Sequence, residues 1–118
     1  MKYKILVLAI ISVVYSCTSD SLSDLQGNTN ATSITYTNNV KAIIDANCLS
    51  CHGANPSFGA STSLTSYLNV KNASQNNNLL ERISKAAGSD GAMPEGGPRL
   101  SQQNINTINT WITENYPQ

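Results

Sequence analysis

The sequence predicts a small all-α domain, and three observations carry that prediction. Apolar residues recur at helical spacing after Tyr36 and again from Leu100 onward. No stretch alternates apolar and polar residues as a half-buried strand would. Large apolar side chains are scarce, with one Phe and one Trp in 118 residues. A helical domain of this length needs something besides its own side chains to complete its core.

Composition narrows the class further. The length is that of one domain. Seven basic side chains balance seven acidic ones, and charged residues make up 12% of the chain. A nucleic-acid binder needs a basic surface to neutralise phosphates, so this balance argues against that class. No block of like charge, internal repeat or heptad pattern interrupts the chain.

The first segment reads as a targeting signal. Lys2 and Lys4 precede an apolar run from Ile5 to Val14 that is broken only by Ser12. The run is shorter than the roughly 20 residues a spanning helix requires, and has the length of a signal-peptide core. It ends in Val14-Tyr15-Ser16-Cys17, which resembles a bacterial lipobox with Tyr15 in place of a smaller residue. Residues 1–16 are therefore expected to be a lipoprotein signal peptide, with Cys17 the lipid-attachment residue. Competing readings are an ordinary secretory signal and an uncleaved anchor. Without Lys2 and Lys4 the remaining five basic residues face seven acidic ones, a mildly acidic balance. Residues 17–33 are polar and aperiodic and should form a flexible tether. The sequon at Asn30-Ala31-Thr32 is treated as chance.

Residues 34–118 form the folded domain. Tyr36, Val40, Ile43 and Ile44 share one helical face, with Thr37 as a candidate cap. That helix leads into Cys48-Leu49-Ser50-Cys51-His52, then Gly53 and a loop around Pro56 and Gly59. A weaker helix is expected over 63–73, with Leu64, Tyr67, Leu68 and Val70 inward. After a polar break at 74–78, Leu79, Leu80 and Ile83 mark a third helix that ends near Gly88. Residues 89–99 are rich in Gly and Pro and read as irregular chain. The last helix is the clearest. Ser101 is its N-cap, Leu100 and Ile105 occupy staple positions, and Ile105, Ile108 and Ile112 share a face beside Trp111.

The chemistry lies in Cys48-x-x-Cys51-His52. Two thiols three residues apart can add to the two vinyl groups along one porphyrin edge, and the adjacent His can then coordinate the iron. This spacing reads as covalent c-type haem attachment. The chain has three Cys and one His: one Cys stands at the lipobox and the other three residues stand together. A thioredoxin-like disulfide would need a strand-to-helix junction, and a structural zinc would need a fourth ligand. A single haem c also supplies the missing core. Met93 is the one methionine besides Met1, and it lies in Gly91-Ala92-Met93-Pro94 before the last helix. Its thioether is the expected second axial ligand, opposite His52. Pro94 stiffens the loop that presents it.

With these residues in view, nearly all of 34–118 resembles the single-haem cytochrome c domain of bacterial exported proteins. The resemblance rests on the helix entering Cys-x-x-Cys-His-Gly, the Met93-Pro94 loop, and a closing helix with Ser101, Ile108 and Trp111-Ile112. It implies a cytochrome c fold whose first and last helices pack near a haem edge. It also implies electron transfer with respiratory or periplasmic oxidoreductases. Two departures stand out: the region after His52 lacks the longer Pro-containing loop of mitochondrial-type members, and Asn115 stands where the group often has Gly.

Three supporting roles remain open at this level. A backbone carbonyl near Pro56 is a candidate acceptor for the free His52 ring N–H, or Pro56 merely shapes a turn. Arg99 is either a haem-propionate partner or a solvated charge at a helix entry. Trp111 packs by the haem edge or in the core. The expected function is electron transfer rather than enzymatic catalysis. The partners would be redox protein donors and acceptors, membrane-bound, and reached by a lipid-anchored monomer. Its location would be the cell-envelope membrane, facing the periplasm or the cell surface. The alternative is a haem-based small-ligand sensor or a peroxidase-like enzyme in which Met93 is displaced.

Overall fold

The computed structural model describes residues 33–118. The signal-peptide and lipid-attachment assignments at residues 1–17, and nearly all of the tether, lie outside the described residues. Among the described residues there is no strand, and no helix is long and apolar enough to cross a membrane.

A short π-helical segment, Tyr36–Val40, runs directly into α1, Lys41–Asn47. The wide first turn arises because the Thr35 carbonyl accepts from both Asn39 N–H and Val40 N–H, at 3.1 and 3.2 Å. The cap is Thr35, not Thr37. Thr35 has the extended backbone a cap needs, and its hydroxyl accepts from Asn38 N–H at 3.1 Å. Asn39 answers by accepting from Thr35 N–H through its side-chain oxygen, which satisfies a second end donor.

Helix α2, Tyr67–Asn76, starts later than the apolar spacing predicts and runs three residues into the expected break at 74–78. Residues 61–65 stay out of the helix because their backbone is used elsewhere: Leu64 N–H and the Thr62 carbonyl both bond to His52. Ser66 is therefore the cap, accepting from Asn69 N–H. The inward stripe becomes Val70 and Ala73, flanked by Tyr67, and Leu68 faces solvent at 70% exposure. Two asparagines separate α2 from α3, Leu79–Ser84, and Asn78 takes left-handed backbone at the turn. Helix α3 stops four residues short of Gly88, because Lys85 is already extended.

Helix α4, Gln102–Thr113, follows its prediction closely. Ser101 caps it by accepting from Asn104 N–H at 3.2 Å, and Leu100 and Ile105 are both buried. Ile105, Ile108 and Trp111 form the buried stripe, with Ile112 half-buried beside them. Helix α4 packs on the first turn at Tyr36–Val40 and on α3.

The core has two ends. At one, the rings of Tyr36, Tyr67 and Tyr116 surround Trp111, with centroids 5.0 to 6.2 Å from it. The C-terminal tail closes this end. The Pro117 carbonyl accepts from Tyr36 N–H and from Trp111 Nε1, both at 2.8 Å, and the Tyr116 carbonyl accepts from the Tyr67 hydroxyl. At the other end the same stripes, through Ile44 of α1 and Ile108 of α4, form the wall of a large cavity.

Candidate functional site

The cavity has a volume of about 1020 Å³, at the upper end of the roughly 300–1,000 Å³ typical of cofactor sites. Its apolar wall comes from Ile44, Leu64, Leu79, Ile83, Leu100 and Ile108. Cys48, Cys51, His52 and Met93 all open onto it. The four residues singled out by their chemistry, 45 positions apart at the extremes, thus share one chamber.

Cys48 closes α1, its N–H bonding to the Ile44 carbonyl at 2.9 Å. The chain then makes one more turn, with Cys51 and His52 N–H both bonded to the Cys48 carbonyl at 3.2 and 2.8 Å. Gly53 follows at close quarters, where a Cβ would lie 3.1 Å from the Leu49 carbonyl oxygen, tighter than side chains ordinarily sit. Both cysteines carry free thiols, and burial pushes the Cys48 thiol up to about 11. Cys48 is held as a neutral S–H, facing the cavity rather than water.

The His52 ring is fixed from outside the motif. Its Nδ1 lies 2.6 Å from the Thr62 carbonyl, and two residues on, Leu64 N–H bonds the His52 carbonyl at 2.8 Å. A carbonyl can only accept, so Nδ1 carries a proton in this bond, and Nε2 is the ring nitrogen left outside it. The acceptor is Thr62, ten residues from the ring, and not a carbonyl beside Pro56. A carbonyl belongs to every residue, so nothing in the sequence marks this one. Only the local chain path does.

Met93 approaches from the opposite segment of chain. Its N–H bonds the Arg82 carbonyl at 3.0 Å, which ties the loop to α3, and its side chain is half-buried against the core. Arg99 does not line the cavity. Its guanidinium donates to the Ser84 carbonyl at 3.0 Å and to Gln102 Oε1 at 2.9 Å, joining α3 to the start of α4. The arginine on the cavity wall is Arg82, which the sequence reading missed. Trp111 is fully buried in the aromatic end and is absent from the wall, so its role is core.

The rival chemistries find little support in this geometry. Cys48 ends a helix instead of opening one after a strand, which is the thioredoxin arrangement reversed. Among the described residues no three thiol, imidazole or carboxylate groups converge as metal ligands do. The residues do fit a haem. Two thiols and a histidine whose Nδ1 is engaged by Thr62 line the chamber, a thioether opens onto it, and much of the remaining wall is apolar.

No curated protein and no solved structure matches the chain significantly. A family model described as cytochrome c oxidase, cbb3-type, subunit III matches residues 37–112, from the second residue of the first helical turn to the penultimate residue of α4. That stretch contains both ends of the cavity wall and every residue named in its chemistry. The chain belongs to this family of c-type cytochrome domains, whose work is haem-based electron transfer.

Proposed function

We propose that the protein is a single-haem electron carrier in which Cys48 and Cys51 attach the haem and His52 and Met93 fill its two axial positions. The observation that supports this reading is the shared chamber, with the His52 ring held through Nδ1 by Thr62, which leaves Nε2 as the nitrogen that would coordinate. Each thiol forms a C–S bond to one vinyl carbon and its hydrogen passes to the other, so attachment needs no oxidant. Bound there, the haem supplies reversible one-electron exchange between Fe(II) and Fe(III). The protein's part is to hold both axial donors, exclude water with the Ile44, Leu64, Leu79, Ile83 and Ile108 wall, and leave no position for substrate. The sensor and peroxidase readings both require Met93 to leave.

The N-terminal reading extends the proposal to location. A lipid on Cys17 and the polar tether of residues 17–33 would hold a monomer at the cell-envelope membrane. The domain would then meet membrane-bound donors and acceptors by brief encounters over small interfaces.

The test is spectroscopic, with mass as a second readout. The oxidised protein should show the weak long-wavelength band of sulfur-ligated haem, and Met93→Ala should abolish it and lower the reduction potential. Denatured protein should retain the mass of one haem. Apoprotein mass after acid–organic extraction would refute covalent attachment. An unchanged band in Met93→Ala would place the second ligand elsewhere.

A further inference from the structure

Two cations, Arg82 of α3 and Lys85 at its C-cap, converge on the loop that carries Met93. Arg82 Nη1 donates to the Gly91 carbonyl at 3.4 Å, and Lys85 Nζ donates to the Asp90 carbonyl at 3.1 Å. The backbone continues the line, because the Arg82 carbonyl accepts from Met93 N–H at 3.0 Å. Loop residues 90, 91 and 93 are thus held by Arg82 of α3 and by the Lys85 that follows it. Gly91 shows how closely the two cations meet. A Cβ on it would lie 3.4 Å from both Arg82 Nη1 and Lys85 Nζ, and its φ of 69° is left-handed. Both side chains are themselves oriented. Arg82 Nε donates to the Asn77 carbonyl at 3.2 Å, and Lys85 Nζ lies 3.5 Å from Glu81 Oε1 one turn earlier.

We infer that Arg82 and Lys85 are positioning residues that clamp the 88–93 loop, keep Met93 in the cavity and so set how readily its thioether yields to another ligand. The inference rests on the reading of Met93 as an axial ligand. The physical argument is one of loop freedom. Ser89 N–H and Ala92 N–H are bonded within the loop, to Ala86 and Ser89. Such local turns fix the loop's shape but not its distance from the cavity. The bonds that fix its place run to Arg82 and Lys85, and two of the three are made by their charged side chains, long enough to span the gap to the loop. Releasing them lets the loop move as a unit, with Met93 at its end.

The experiment measures imidazole binding to the oxidised holoprotein, together with the sulfur-ligation band. Arg82→Ala and Lys85→Ala should each raise imidazole affinity about tenfold, the worth of one hydrogen bond from a charged donor, and weaken the band. Arg82→Lys should recover part of the loss. The deciding comparison is made in the Met93→Ala background, where adding Arg82→Ala or Lys85→Ala should produce no further gain. A similar tenfold gain there would mean that the cations act on the cavity directly, and would overturn the clamp. So would unchanged affinity and band in both single variants. Should Arg82→Ala fail to fold, Lys85→Ala carries the same comparison alone. If instead wild-type protein lacks the band and binds imidazole as tightly as Met93→Ala does, the failure belongs to the axial-ligand reading.

Discussion

Asn115 and Tyr116 end α4 with consecutive left-handed backbones, at φ 64° and 63°. This is where related domains were expected to carry Gly, and the backbone explains the expectation: Gly enters this region without steric cost, and Asn is the next most tolerant residue. Tyr116 has no such excuse. It is held there because its N–H closes onto the Trp111 carbonyl at 2.9 Å and its ring stands edge-on to Trp111 at 5.0 Å. Surrounding contacts over-determine a conformation the residue would not choose alone. Asn115→Val should therefore cost about 1–2 kcal/mol, the penalty for a branched side chain in this region, whereas Asn115→Gly should be tolerated. Denaturant unfolding of the holoprotein followed by Trp111 fluorescence measures both. Equal stability of the Val and Gly variants would show that the tail, not the local backbone, sets the geometry.

At the scale of elements, the fold is a set of short helices joined through a few shared groups. Helices α1 and α3 have seven and six residues, too short to persist in isolation. Trp111 joins the pieces: its ring touches Tyr36 from the first turn, Tyr67 from α2 and Tyr116 from the tail, and its Nε1 bonds the Pro117 carbonyl. The same carbonyl receives Tyr36 N–H. Losing the ring removes contacts to three segments at once and leaves a void between them and α4. Trp111→Ala should cost about 3–5 kcal/mol, the range for a large buried aromatic, as read from thermal unfolding. Because Trp111 does not line the cavity, the haem spectrum of whatever protein folds should be unchanged. A shifted spectrum would mean that the two ends of the core are coupled.

The whole molecule is organised around a chamber. A domain of this size with a cavity of about 1020 Å³ lacks the packed centre that close-packed interiors require. The residues that line it also supply much of the apolar surface available: Ile44, Leu64, Leu79, Ile83, Leu100 and Ile108 all belong to the core cluster. A haem held there would bury faces of α1, α3 and α4 against itself, and a group bound only by the folded state stabilises that state by mass action. The double variant Cys48→Ala/Cys51→Ala, isolated without haem, should show much weaker far-UV helical ellipticity and no cooperative melt. A native-like helical spectrum and a sharp transition in that apoprotein would mean that the aromatic end alone supports the fold.

Much of this protein was legible before its structure. Cys48, Cys51, His52 and Met93 could be named as candidates because rare side chains carry their chemistry wherever they stand and a motif of five residues is local; the structure brings all four onto one cavity. Ser101 and the stripe at Ile105 and Ile108 were legible for the same reason, since a cap and a helical face depend only on neighbours a turn away. The tertiary structure decided what depends on the chain's path. It moved the first cap from Thr37 to Thr35, where Asn38 and Asn39 complete the cap, and it moved the start of α2 to Tyr67, because backbone groups of Thr62 and Leu64 are committed to His52. It placed Arg82 on the cavity wall and sent Arg99 to Ser84 and Gln102. Backbone carbonyls look alike in every residue, and long cationic side chains reach many partners, so their roles are set by which segments meet in space.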